Sequence, residues 1–194
     1  MKEMNRIGMI VDLAHTSVDT MRDVLSSKGS QAPIIFSHSS AYALCPHPRN
    51  VPDSILSLVK KSNSVVMVNF SPSFISCVTN ATNPHGLPID FPQNATLNQV
   101  ARHITYIGDK IGYDHVGLGS DFDGIESIPR GLEDVSKFPV LVAELLRKGV
   151  SDHDVKKIVG GNVLRVWRDV EKVAKKLQKS GMRPIEDAVG ELVV

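Results

Sequence analysis

The stretch PIIFSHSSAY, residues Pro33–Tyr42, runs from a short apolar segment to a histidine that lies between serines. Two other stretches follow the same plan: IGMIVDLAH, Ile7–His15, ends in a histidine, and HVGLGSDFDG, His115–Gly124, contains two aspartates near its end. Short, continuous apolar runs rich in Val, Ile and Met are typical of strands buried on both faces, as in parallel sheets. We therefore predict that three strands deliver chemically active side chains at their carboxyl ends.

The order of the predicted elements indicates the fold class. Helical stretches separate four strand-like runs, which are Ile7–Leu13, Pro33–Ser37, Ser64–Phe70 and His115–Ser120. This alternation favours an α/β fold with a parallel sheet. Four parallel β/α units amount to the C-terminal half of an eight-stranded TIM-like barrel, strands 5–8, and an open four-stranded sheet is the alternative. We assign residues 1–180 to one domain and residues 181–194 to a polar tail, and expect residues 71–93 to form a long irregular loop.

Composition excludes several classes of protein. The chain has 194 residues, of which 42% are hydrophobic and 22% charged, with a net charge of +1, so it lacks the clustered basic face of a nucleic-acid-binding protein. No apolar run reaches the ~20 residues that span a bilayer, and the N-terminal residues do not resemble a signal peptide. Of three N-glycosylation sequons, Asn80 and Asn94 lie in a loop-like segment and are candidate acceptors, whereas Asn69 lies on a predicted strand. The residues alone leave the compartment open.

The two strand-end histidines are candidate metal ligands. Because neighbouring parallel strands lie about 5 Å apart, His15 and His38 can reach one ion at the ~2.0–2.1 Å typical of zinc–nitrogen bonds. The alternative is that each histidine satisfies a local hydrogen bond at the start of a helix. Asp121 ends the fourth strand, where a carboxylate can bind an ion, orient a water molecule or act as a general base. Gly117 and Gly119 leave space beside it for a close approach of the backbone.

The arginine, cysteine and serine residues give weaker evidence about function. Arg49 lies in the loop CPHPRNVP, and an arginine there either binds a carboxylate through two parallel hydrogen bonds or is a solvated loop cation. Cys45 and Cys77 form no CxxC pair, which argues against a zinc–thiolate site. No G-x-S-x-G motif is present, so a serine nucleophile is not expected.

These residues also carry a resemblance to a known family. The blocks that carry it, in chain order, are DLAHTS, PIIFSHSSAY, RNVPD, VMVNF, GLGSDFDG, GLEDVSKFPVLVAELL and GNVLRV. Together they resemble the carboxyl-terminal half of the renal-type (membrane) dipeptidases, zinc enzymes of the amidohydrolase-like barrel class. The resemblance extends over roughly residues 5–177.

The resemblance implies roles for particular residues. Members of the family bind two zinc ions, bridged by a carboxylate and a water or hydroxide. His15 and His38 match the histidines that hold the second zinc. Arg49 matches the arginine that binds the terminal carboxylate of the substrate, and Asp121 matches the aspartate near the free amine of the substrate and the bridging water. The implied activity is hydrolysis of dipeptides that have a free C-terminal carboxylate.

The resemblance also implies a disulfide between Cys45 and Cys77 that links two active-site loops. The part of the family that this chain resembles does not contain the first zinc site. The H-x-D pair of that site, the bridging glutamate and the oxyanion-stabilising histidine lie in the amino-terminal half of the family's barrel. We therefore expect a fragment that binds zinc weakly, at most in one half-site, and has little or no peptidase activity without the absent half. The family suggests a secreted or membrane-associated protein.

Two other hypotheses are alternatives to the interpretation as a zinc dipeptidase. The chain could be a non-catalytic remnant or interaction half-domain, in which case it folds without metal or dimerises through exposed edge strands. It could also be a cysteinyl-glycine-type dipeptidase of secondary metabolism, because the substrate side chains are not encoded in an interpretable motif. A homodimer is left open.

Overall fold

The computed structural model describes residues 1–80 and 82–185 of the chain. Its α-helices are α1 (Lys2–Ile7), α2 (Val18–Val24), α3 (Asp53–Lys61), α4 (Pro72–Ile75), α5 (Leu97–Ile111), α6 (Phe138–Arg147), α7 (Asp152–Lys156) and α8 (Asn162–Lys179). Its strands are β1 (Ile35–Phe36), β2 (Val65–Val68), β3 (Cys77–Val78), β4 (Ile89–Asp90) and β5 (Val116–Leu118). Most of the predicted tail, residues 186–194, lies outside the described residues.

Three of the predicted strand positions form one parallel sheet in the order β1–β2–β5. The predicted strand over residues 7–13 was wrong in its extent. Residues up to Ile7 belong to α1, which ends at Gly8 in the left-handed conformation (φ 81°). Only Asp12 remains to form a single parallel bridge with Ile35, so the first run pairs at the edge of the sheet without making a full strand. Glycine after a helix is a common stop signal that the apolar run concealed.

Helix starts follow the sequence closely. The Ser17 hydroxyl accepts a hydrogen bond from the Thr20 N–H at 3.2 Å, and the Thr96 hydroxyl accepts one from the Gln99 N–H at 3.3 Å. These side chains satisfy backbone donors that have no partner inside α2 and α5. The helix α2 therefore starts directly after the segment that ends in His15.

The sheet is covered on both faces. Val66 and Val68 of β2 lie in the main core with the apolar faces of α3, α5 and α6, whereas Val65 packs with Val166 and Val170 of α8. Because side chains alternate along a strand, this division follows from the uninterrupted run VVMV. No helix in the described part of the chain is long and apolar enough to cross a membrane.

The connection predicted as an irregular loop, residues 71–93, contains regular structure. It holds α4, the antiparallel pair β3–β4 and a 3-10 turn at Pro92–Asn94. Cys77 of β3 forms a disulfide with Cys45, with 5.1 Å between the Cα atoms, as the family resemblance implies. Two-residue strands carry too weak a sequence pattern to be recognised without that constraint.

Candidate functional site

The candidate site is a cleft at the carboxyl edge of the parallel sheet. It has a volume of about 550 Å³, and its walls include His15, His38, Arg49 and Asp121, all four residues singled out from the sequence. His38 follows β1 and Asp121 follows β5, while His15 follows the segment that bridges to β1. The carboxyl ends of parallel strands are the usual place for functional groups in α/β folds, because successive chain crossovers leave the loops together there.

The two histidines point at each other through the same ring atom. The Nε2 atoms of His15 and His38 are 2.9 Å apart, and the ring centroids are 5.0 Å apart. Burial, followed by the positive charge of Arg49 and the neighbouring His38 ring, lowers the pKa of His15 below its ordinary value. A neutral imidazole keeps the lone pair that a metal ion needs.

Backbone strain is concentrated at the site. His15 and Asp121 have φ values of +64° and +63°, in the left-handed region that side chains other than glycine rarely adopt. Among the described non-glycine residues, one other position, Asn63, has a positive φ. Such conformations cost on the order of 1–3 kcal/mol each and cluster at functional sites. Sequence reading did not foresee this strain.

Asp121 faces the histidine pair. Its Oδ2 lies 3.8 Å from His38 Nε2, beyond a direct hydrogen bond but close enough for a water molecule or ion to bridge the two groups. A tight turn fixes the backbone at Asp121, because the Gly124 N–H donates to the Asp121 carbonyl at 2.9 Å. A Cβ on Gly124 would lie 2.4 Å from Asp121 Oδ1, so only glycine leaves room for this orientation.

Arg49 is the clearest unsatisfied group in the cleft. Its Nε, Nη1 and Nη2 atoms are buried and have no hydrogen-bond partner among the described residues. The guanidinium lies 5.2 Å from the ring centre of Phe74, and burial lowers its pKa. Buried polar groups in folded proteins almost always have partners, so five unpaired donors indicate a position for an anionic ligand.

Three polar or covalent links hold the loops that carry Arg49 and Phe74. Buried Asn50 donates from Nδ2 to the carbonyls of Cys45 and Phe74, at 2.9 and 2.7 Å, and its Oδ1 accepts from the Ser40 N–H. Buried His103 of α5 contacts both loops, through the Ala41 N–H and the Ile75 carbonyl. The disulfide described above links the loops covalently. The arginine is therefore held by a fixed frame.

Some site residues were missed or underrated from the sequence. Asp12 and Ser37 lie directly behind His38, where the Ser37 hydroxyl contacts the Asp12 carboxylate and is 2.7 Å from His38 Nδ1. Both occur within the quoted strand-end segments, and their polar side chains beside a candidate ligand were the available signal. His47, in the same loop as Arg49, packs against Phe74 with ring centres 4.5 Å apart.

The candidate glycosylation residues lie away from the cleft walls. Asn94 is exposed at the end of the 3-10 turn, and the Oδ1 of Asn80 accepts hydrogen bonds from Thr82. Asn69 is fully buried, which agrees with its exclusion as an acceptor. Their modification stays a prediction.

The donor set fits part of a zinc shell. Two nitrogens bound to one tetrahedral zinc at ~2.0–2.1 Å lie about 3.3 Å apart, close to the 2.9 Å between the two Nε2 atoms. In residues 1–80 and 82–185, however, no group of three or more His, Cys, Asp or Glu side chains is arranged to hold an ion. The described residues thus offer two nitrogen ligands and leave the remaining positions to water or to other ligands.

Two curated proteins that are similar in sequence are named dipeptidases. The chain is 48% identical over 191 residues to dipeptidase verJ of Clonostachys rogersoniana, covering 98% of this chain and 45% of that protein. It is 51% identical over 187 residues to dipeptidase aclJ of Aspergillus oryzae, covering 96% of this chain and 40% of that protein. The chain therefore spans less than half the length of these curated relatives.

Two solved peptidase structures are also similar to this chain over about half of their own length. A metallo peptidase from Rhodobacter sphaeroides, liganded with a phosphinate mimic of L-Ala-D-Ala, matches with a TM-score of 0.73 and 32% identity, over 87% of this chain and 44% of that one. The probable dipeptidase PvdM from Pseudomonas aeruginosa matches with a TM-score of 0.76 and 28% identity, over 89% and 53%. The sequence model of the membrane dipeptidase family, peptidase family M19, matches residues 1–181. The chain therefore belongs to this family.

Proposed function

We propose that this chain forms the carboxylate-binding and second-zinc part of a zinc-dependent dipeptidase that hydrolyses dipeptides with a free C-terminal carboxylate. The observation that carries the proposal is the unpaired, buried guanidinium of Arg49, which lines the same cleft as His15 and His38. A planar guanidinium binds a carboxylate through two parallel N–H···O bonds.

In this proposal Arg49 binds one end of the substrate and Asp121 receives the other. A carboxylate near the free amine would form a charge-assisted hydrogen bond, so both charged ends of a dipeptide are recognised inside one cleft. A longer peptide separates these charges too far, and chain length therefore sets the specificity. Packing of Arg49 over Phe74 fixes the plane of the guanidinium before the substrate binds, which reduces the ordering cost of binding.

His15 and His38 would hold one zinc ion between their Nε2 atoms. The chemistry that bound zinc supplies is polarisation of the scissile carbonyl and activation of water near neutral pH. A water molecule beside His38 would lie within reach of Asp121, whose carboxylate is suited to accept its proton.

We also propose that the β1–β2–β5 sheet, with the bridge at Asp12, corresponds to the C-terminal half of a TIM-like barrel, with residues 1–180 as one unit. Support comes from its parallel order and from solved dipeptidase-family structures of which the chain covers 44–53%. The remaining zinc ligands would come from a complementary half, so we expect weak zinc binding and low activity from these residues alone.

Metal content tests the zinc part. The 194-residue chain and a His15→Ala, His38→Ala variant are dialysed to equilibrium against buffers of fixed free zinc concentration, and their bound zinc is measured by elemental analysis. We expect zinc in the parent and its loss in the variant. A folded parent without zinc would favour the non-catalytic remnant.

Ligand binding tests the carboxylate part separately. Binding of Ala-Ala and of Ala-Ala-amide to the zinc-treated chain is measured by titration calorimetry or NMR. Because hydrogen bonds to charged groups contribute about 1.5–3 kcal/mol, we expect at least tenfold weaker binding of the amide. Arg49→Met should remove this difference, whereas Arg168→Lys, an exposed change on α8, should preserve it. Equal binding of both ligands by the parent would contradict the role of Arg49.

A further inference from the structure

Two residues next to His38, Asp12 and Ser37, have no role in the function proposed above. We propose that Asp12, acting through the Ser37 hydroxyl, is a positioning residue that fixes the tautomer of His38, with the proton on Nδ1 and the lone pair on Nε2. This inference rests on the zinc site proposed above, since it concerns which nitrogen of His38 is available to the ion.

The contacts between Asp12, Ser37 and His38 determine which ring nitrogen of His38 carries the proton. Asp12 Oδ2 contacts Ser37 Oγ, and Ser37 Oγ lies 2.7 Å from His38 Nδ1. An ionised carboxylate only accepts, so the single hydroxyl proton of Ser37 points to Asp12. The Ser37 oxygen is then an acceptor towards His38, and Nδ1 must carry the proton. The other ring nitrogen, Nε2, keeps its lone pair and faces His15 Nε2 at 2.9 Å.

Contacts other than the one to the Ser37 hydroxyl hold Asp12 in place. Its Oδ1 accepts from the Ala14 N–H at 2.9 Å and from the Ser37 N–H at 3.0 Å, which ties the two strand-end segments together. One carboxylate oxygen therefore fixes the backbone and the other sets the direction of the hydroxyl. Metal-binding histidines commonly donate their second ring N–H to such a partner, and loss of the partner typically weakens metal binding 10–100-fold.

The substitution Asp12→Asn separates these two roles of the carboxylate. Asp12→Asn keeps an oxygen for the two backbone donors but turns an N–H towards the Ser37 hydroxyl. The hydroxyl proton is then free to point at His38 Nδ1, which favours the tautomer with the proton on Nε2 and blocks the metal-binding atom. Ser37→Ala removes the relay and leaves the Ser37 N–H contact to Asp12 intact, whereas Ser37→Thr keeps a hydroxyl.

The test measures the tautomer and the zinc affinity of the 194-residue chain. Imidazole ¹⁵N shifts of the zinc-free chain report the protonated nitrogen, with the His38 signals assigned by their loss in His38→Ala, and a chelating dye gives the zinc Kd by competition. We expect Nδ1–H in the parent and in Ser37→Thr. In Asp12→Asn and Ser37→Ala we expect movement towards Nε2–H and a Kd at least tenfold higher.

The control is a second aspartate–serine pair. Asp90 Oδ2 accepts from the Ser73 hydroxyl at 2.7 Å, and no histidine is bonded to that hydroxyl in the described residues. Asp90→Asn should leave both readouts unchanged. An unchanged Nδ1–H tautomer in Asp12→Asn overturns the proposal, even if zinc binding weakens, because the role would then be only structural. If the tautomer moves but the parent binds no zinc, the positioning stands and the proposed zinc site fails.

Discussion

Lowering the pH from 7 to 5 should destabilise the fold through His103, a buried histidine in α5. Its Nδ1 accepts from the Ala41 N–H at 3.0 Å and its Nε2–H donates to the Ile75 carbonyl at 2.9 Å, so the ring is neutral and links two loops of the cleft. Burial is the main cause that lowers the pKa of His103 from 6.5 to about 4. Protonation would place an N–H against the N–H of Ala41.

The sign and the size of the effect follow from this pKa. Above pH 6.5 the ring is neutral in both the folded and the unfolded chain, so the full stability is present. Between pH 6.5 and 4 the unfolded chain takes up the proton and the folded chain does not, and the free energy of unfolding falls. With these two pKa values the loss from His103 between pH 7 and pH 5 is about 2 kcal/mol, and it levels off near about 3 kcal/mol below pH 4.

Urea unfolding of the parent and of His103→Gln, at pH 7 and pH 5, isolates this contribution from other titrating groups. The glutamine can still donate to Ile75 but cannot take up a proton. We expect the stability difference between parent and variant to shrink by about 2 kcal/mol at pH 5, with similar m-values. His153→Gln, an exposed change on α7, should show no such shift. A difference that stays constant within about 0.5 kcal/mol would refute a neutral, buried His103.

Two further predictions concern the frame of the site. Reduction of the Cys45–Cys77 disulfide, whose cysteines have a sequence separation of 32, should lower the free energy of unfolding by about 4 kcal/mol in urea titrations, and an unchanged midpoint would contradict this. Gly119→Ala should cost much more stability than Gly117→Ala. A Cβ at 119 would lie 1.9 Å from the Ser37 carbonyl oxygen, whereas at 117 it meets a flexible methionine side chain at 2.9 Å. Equal thermal midpoints for the two variants would show that the backbone at 119 relaxes freely.

The sequence predicted the parallel sheet because β1, β2 and β5 are continuous apolar runs with no competing signal. It failed at residues 7–13, where an apolar run crosses the boundary between α1 and the edge of the sheet. Of the predicted run only Ile7 lies in α1, and the left-handed turn at Gly8 separates it from the apolar residues that follow. The short β3–β4 pair was missed because two-residue strands are too short to show an alternating pattern.

The candidate site was predictable to the extent that it depends on strand ends. A histidine or aspartate directly after a buried strand is placed by the strand itself, so His15, His38 and Asp121 could be named from their positions. The contact between Asp12 and Ser37 could not be predicted, since it depends on which strand segments are neighbours and on side-chain directions within 3 Å. Such contacts between residues far apart in the chain leave no periodic signal in the sequence.

The left-handed backbone at His15 and Asp121 connects the stability of the fold to the site. Each conformation is unfavourable by itself, so local contacts must hold it: the carboxylate of Asp12 binds the Ala14 N–H just before His15, and the Gly124 N–H closes the turn at Asp121. These are also the contacts that set the direction of the two side chains. A glycine at either position would relieve the strain and remove the functional group. The strain is therefore tolerated where the cleft needs a side chain that ordinary strand or helix geometry would point elsewhere.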